Sequence, residues 1–243
     1  MPFRADIVLM VVVVGLYLYD SAQLLYRNEA LLIPTGKNGW IVGFGSEHFG
    51  VLGKELYVPN PFLMHRPLFR LAWQLDGDGA GNDSWEPPRG TLVPLVPLVW
   101  SMAAALFVLL PLGFFTRLGD PMLLLALALL FVSILIALAW IWIHRAPLRL
   151  SRRRFAGLAF ESLICPPFAL NLVRHITAAM PVGEDLVHAA RRLQERTDWA
   201  RTRHALIGKL TNELEGEDAD SGRHRQLLKL RQTLIDEGES CRP

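Results

Sequence analysis

The chain has 243 residues, 51% hydrophobic and 20% charged, with a formal net charge of +2. So small a net charge supplies no basic field for nucleic acid. The two cysteines, Cys165 and Cys241, lie too far apart to suggest a disulfide framework or a cysteine-based zinc site. Long apolar runs alternate with charged stretches, the composition of an integral membrane protein with polar attachments.

Residues 1–26 read as a first transmembrane helix. Its unbroken apolar run, Ile7 to Tyr19, spans 13 residues, which is also the size of a signal-peptide core. The flank "MPFRAD" is not clearly positive, and Asp20 falls where a cleavage site needs a small residue, so the reading is an uncleaved helix reaching about Leu25.

Residues 27–75 read as a small antiparallel β meander, with strands at Glu29–Ile33, Trp40–Gly45, Lys54–Val58 and Leu68–Leu75 and a hairpin signal at Asn38-Gly39. Its stretch "WIVGFGSEHFGVLGKE" has four glycines but neither G-x-G-x-x-G nor Walker A spacing, so the glycines read as bends and close approaches. Glu47 and His48 then fall on a turn. Together with His65 they are the weak catalytic candidates, and they need to converge to act. A core of this size is marginal alone. Residues 76–90 read as a linker; counted as a calcium loop from Asp76, position 5 is Ala80 and position 12 is Pro87, so two ligands are missing.

Residues 91–116 and 121–144 read as second and third transmembrane helices. Met122–Ile143 has 22 residues and no charge, long enough for a hydrocarbon core of about 30 Å. In Leu92–Phe115, Pro94 and Pro97 sit in the first turns, where a missing N–H costs little. Residues 145–182 begin with Arg145, Arg149, Arg152, Arg153 and Arg154, a cytoplasmic topology signal and a lipid-headgroup contact. With three spans this puts the N-terminus outside and the C-terminus in the cytoplasm, in a bacterial inner membrane. Further on, Glu161, Arg174 and His175 and the Pro166-Pro167 break argue against another span. The stripe Phe168, Leu172, Ile176 suggests interfacial amphipathic helices, with a re-entrant hairpin as the alternative. Cys165 reads as a reduced, half-buried thiol, with acylation or heme ligation as alternatives.

Residues 183–243 read as a cytoplasmic helical hairpin, with 11 basic and 12 acidic residues. Leu186, Leu193, Ile207, Leu214, Leu227, Leu230 and Leu234 form apolar stripes that a two-helix hairpin leaves open to a partner. Glu184 and His188 are four apart on a helix but lack a third metal ligand nearby. No G-x-S-x-G, H-E-x-x-H or CxxC motif is present, and no cofactor or metal is expected. No ionisable residue lies deep within the second or third span, which disfavours conduction.

The fold expected is therefore an α-helical integral membrane protein with three transmembrane helices, a β meander between the first two, and a C-terminal interfacial and amphipathic helical region. The function expected is a non-catalytic anchor, scaffold or accessory subunit. Its partners are the lipid bilayer and either another protein or a second copy of the chain, not nucleic acid. The alternatives are a membrane-associated enzyme using Glu47 and His48 at the lipid interface, or a membrane-bound regulator.

Overall fold

The computed structural model describes residues 5–36, 39–74, 85–117 and 119–240. Asn38 of the expected hairpin, most of the linker with its calcium-loop positions, Cys241 and the Glu47 side chain lie outside the described residues. Two compact units emerge: Met1–Leu25, Gly45–Phe69 and Glu86–Pro181 form the first, and Tyr26–Phe44, Arg70–Trp85 and Val182–Pro243 the second.

A three-span helical membrane protein with one β meander is not what forms. The described residues fold into a mixed α/β arrangement of 9 helices, with Arg89–Phe115 taken as one, and two three-stranded sheets. Among the described residues two helices, not three, are long and apolar enough to cross a membrane: α2, Arg89–Phe115, and α3, Gly119–Ile143. The first helix, α1 (Ala5–Ser21), has 17 residues and is about 26 Å long. It ends four residues before the expected Leu25, and the next segment is strand β1, Gln23–Tyr26. Its last turns are occupied inside the first unit, where Tyr17 and Ser21 are buried.

In the first unit, α2 and α3 pair as an antiparallel hairpin whose register three contacts define. The Trp140 indole N–H donates to the Thr91 carbonyl at 3.0 Å, Ser133 Oγ donates to Ser101 Oγ at 3.0 Å, and a Cβ on Gly113 would lie 2.5 Å from Leu123 Cδ2. Small residues along this seam, including the buried Ala103, Ala105, Ala126 and Ala137, allow the backbones to approach. A π-helical turn over Ala105–Leu109 precedes Pro111, whose missing N–H interrupts the hydrogen-bond ladder. The other faces of both helices are apolar and open: Val108, Leu112 and Phe115 on α2, and Leu124, Val132, Leu135 and Ile136 on α3. Only 39% and 33% of their most apolar stretches are buried, whereas the core helix of a soluble domain is mostly buried.

The first unit's sheet has the order β1-β5-β4, with β4 at Ser46–Val51 and β5 at Lys54–Tyr57. Glu47 and His48 thus sit on a strand rather than on a turn, in the stretch where the β4–β5 register shifts between Ser46 and Gly50. Gly45 is needed where it stands, since a Cβ there would come within 2.4 Å of Glu55 Cβ. The β4–β5 turn places Leu52 at φ 52° and Gly53 at φ 77°. Two successive left-handed residues make the turn type that favours Asn-Gly. Leucine there is strained, and it is 98% exposed. Leu52→Asn should stabilise the fold by about 1 kcal/mol, read as a rise in Tm; a fall would show that the leucine side chain holds a contact.

Of the expected interfacial helices only the second half is interior; the first half, residues 152–164, buries Ser162 alone and leaves Phe160 and Ile164 each 66% exposed. Helix α4 (Arg152–Ile164) is followed by the short α5 (Pro166–Ala169) and by α6 (Leu172–Ala178). Leu172, Val173, Arg174, Ile176 and Thr177 of α6 are all buried. A one-faced amphipathic helix lying in an interface would leave its polar side in water.

In the second unit, β3 (Gly39–Phe44), β2 (Glu29–Thr35) and β6 (Phe69–Ala72) form a sheet of order β3-β2-β6. Residues Ala30 to Ile33 of the central strand are buried on both faces, which accounts for their unalternating apolar run. Helix α7 (Leu186–Leu193) and helix α8 (Arg196–Glu215) contact β3, and α8 pairs with α9 (Gly222–Ser240). The expected αα-hairpin is therefore α8–α9. The apolar column is broken at Gln194 and Glu195, both extended, where α7 ends and α8 begins. Asp185 caps α7, accepting from the Val187 and His188 amides at 2.8 and 3.3 Å, and its other oxygen accepts from Gln74 N at 2.7 Å. The cap thereby also ties the helix to the segment after β6.

Candidate functional site

Arg174 is 1% exposed. A guanidinium on a helix buried on nearly every face cannot reach water, so its donors must be met inside the fold. Nη2 donates to the Asn60 carbonyl at 2.7 Å and Nη1 to Asn171 Oδ1 at 3.0 Å. Asn171 Nδ2 donates to Asp20 Oδ2 at 2.9 Å and lies 3.3 Å from the Tyr17 carbonyl. Ser21 Oγ lies 2.8 Å from that carbonyl and 3.2 Å from Asn171 Oδ1. His175 Nε2 is 2.8 Å from Asp20 Oδ2, and the Tyr17 hydroxyl donates to the Pro61 carbonyl. One polar network thus joins the end of α1, the loop after β5, and α6.

The electrostatics follow from burial. Burial lowers the pKa of Arg174, while Tyr17, Tyr57 and Asp20 beside it favour the charged form. The Tyr57 phenol is raised by burial, less so because Arg174 is near. Burial also raises the Cys165 thiol; the Phe168 amide acts against this and the Asp20 charge adds to it. A thiol held protonated is a poor nucleophile and a poor metal ligand.

Two ring contacts place this network against the central turns of α2 rather than its ends. The Tyr17 ring lies 5.6 Å from Phe107 and the His65 ring 5.7 Å from Trp100. The central turns of α2 and α3 carry no ionisable residue of their own, but His65 packs on α2 directly and Tyr17 ties the Arg174 network to it. Arg174 Nε and His65 Nδ1 are buried without a protein hydrogen-bond partner. The His65 pKa is lowered by burial, then by Arg66 and Arg174. Its folded-state pKa lies below the ordinary 6.5, so the unfolded chain binds the proton more readily. Stability should therefore fall as pH drops from 6.5 through the folded-state value, and His65→Gln should flatten that part of a Tm-against-pH curve.

Among the sequence candidates, His48 is exposed, while His65 packs on Trp100. No hydrogen bond joins these two rings among the described residues. Glu184 does not face His188; it holds Arg192, with contacts of 3.2 and 2.7 Å. The arginine run divides. Arg145 lies over the Trp142 ring at 4.6 Å, Arg149 and Arg154 donate to the Pro181 and Ala179 carbonyls at 3.3 and 2.5 Å, and Arg152 and Arg153 are exposed. Leu186, Leu227 and Leu234 are buried in the second unit, while Leu193, Ile207, Leu214 and Leu230 are half-buried. Among the described residues no group of three or more His, Cys, Asp or Glu side chains could hold a metal ion.

Asp20, Asn171, Arg174 and His175 were visible only as polar interruptions of apolar runs. Their separation of some 150 positions, as between Asp20 and Asn171, hides the pairing from any local pattern. Compared with known proteins, the chain matches no family model, no curated protein and no solved structure.

Proposed function

We propose that the chain is a non-catalytic membrane anchor or scaffold that recruits a protein partner. The observation that carries this reading is the open apolar flank on both α2 and α3, two helices of membrane-crossing length in one unit. The second unit is a polar α/β module, and most polar groups of the Arg174 network are satisfied by one another and by backbone, which suits a structural knot better than a catalytic pocket. His48 is exposed on its strand, which favours a surface contact over the alternative enzyme reading.

With two crossings, the chain before Arg89 and the chain after Ile143 lie on the same side. The arginines from Arg145 to Arg154 argue that this side is the cytoplasm of a bacterial inner membrane. An N-terminus outside required a third span and does not follow.

The experiment is recovery of partners from mild detergent with the full chain tagged. Truncation at Gly183 is a poor control, because α7 and α8 cover β3. A better one is Leu228→Glu, since this side chain on α9 is already 42% exposed and its loss leaves the core intact. A specific partner or second copy that is lost on Leu228→Glu supports the reading. Recovery of the isolated monomer alone, from wild type and variant alike, would sink it.

A further inference from the structure

In the second unit, α7, α8 and α9 enclose an open groove of about 740 Å³, lined by Arg191, Arg196, Trp199, Arg203, Glu237 and Gly238. Its charges are unevenly matched. Arg191 is paired with Glu237 and sits 5.8 Å from the Trp199 ring centre. The Arg196 and Arg203 side chains have no hydrogen bond or ion pair among the described residues. Among the described residues, three guanidiniums against one carboxylate leave two positive charges unbalanced on the groove wall.

The groove also has a built feature. Glycine within a helix is a destabilising choice, yet Gly238 lies inside α9. A Cβ there would come within 2.6 Å of the Arg203 guanidinium carbon. The missing side chain gives the planar head of Arg203 room against the helix, so that its donors are held at the groove instead of swinging free.

We infer that this groove binds a phosphate monoester carried on a planar ring, a small nucleotide-like anion. A phosphate monoester carries nearly two negative charges near neutral pH, matching the two unpaired guanidiniums, whose forked donors suit phosphate oxygens. Trp199 offers an aromatic surface for the ring, and the volume falls in the range of small-molecule sites. Arg191, already neutralised by Glu237, orients Trp199 rather than holding the phosphate.

The test is calorimetric titration of the full chain in detergent at low salt, with adenosine 5′-monophosphate, inorganic phosphate and adenosine as probes. The nucleotide should bind roughly tenfold more tightly than phosphate because of stacking, and adenosine more weakly than either. Arg196→Gln and Arg203→Gln should each weaken nucleotide binding about tenfold or more. Gly238→Ala keeps every charge and strengthens the helix, so Tm should rise while nucleotide affinity falls. Absence of nucleotide binding, or unchanged affinity in the Arg196→Gln/Arg203→Gln double variant, overturns the site. Equal affinity for phosphate and nucleotide overturns the role given to Trp199.

Discussion

Arg174→Ala should destabilise the first unit by about 3–5 kcal/mol, the cost expected when one member of a buried charged network is removed. The substitution strips donors from the Asn60 carbonyl and from Asn171 Oδ1, and it leaves Asp20 without the guanidinium near it. It also opens a cavity at a site that is 1% exposed. Arg174→Lys should recover only part of the loss, because an ammonium lacks the fork that reaches two acceptors in different directions. The measurement is Tm and the denaturant midpoint in detergent. A double-mutant cycle with Asn171→Ala should return a coupling of about 0.5–3 kcal/mol. Purely additive losses would show that the two side chains act separately, and the network would then be no more than a set of neighbours.

The second large effect concerns the open face of α3. Val132 and Leu135 are more than half exposed and three residues apart on one face. If that face meets lipid, Val132→Asp and Leu135→Asp should each cost about 2.5–3.5 kcal/mol of insertion free energy. The double variant should then lose most of its carbonate-resistant membrane fraction. If the face met water, two surface polar substitutions would change stability by no more than about 0.5 kcal/mol each. An unchanged membrane fraction would therefore remove the basis for the anchor reading, whatever partner the second unit binds.

The strand positions show how far local pattern reaches. Glu29–Thr35, Gly39–Phe44, Lys54–Tyr57 and Phe69–Ala72 all form close to where alternation and turn residues place them. Strands β1 and β4 escape for physical reasons. Gln23–Tyr26 continues an apolar helical pattern, and only the stop at Ser21 and pairing with β5 make it extended. Ser46–Val51 carries two glycines on its flanks and interior, which read as a bend until β5 pairs beside it. Membership of two different sheets is likewise set by pairing between distant strands. The candidate site was less legible still. Arg174 reads locally as the polar edge of an amphipathic helix, and only the surrounding segments reveal it as enclosed.

The sequence by itself determined the two long apolar helices, because a run of more than twenty residues without charge has few other fates. It also indicated polar, charge-balanced helices at the C-terminal end, through their apolar spacing. Only the tertiary structure decided that α1 stops short and lodges its Tyr17, Asp20 and Ser21 among buried side chains. It also decided that Arg174 lies inside the first unit and that Arg196 and Arg203 face a common groove beside Gly238. The reason is the same in each case. Hydrophobic length and helix capping are properties of a few consecutive residues, whereas the environment of a charge depends on which remote segments desolvate it and which acceptors they bring.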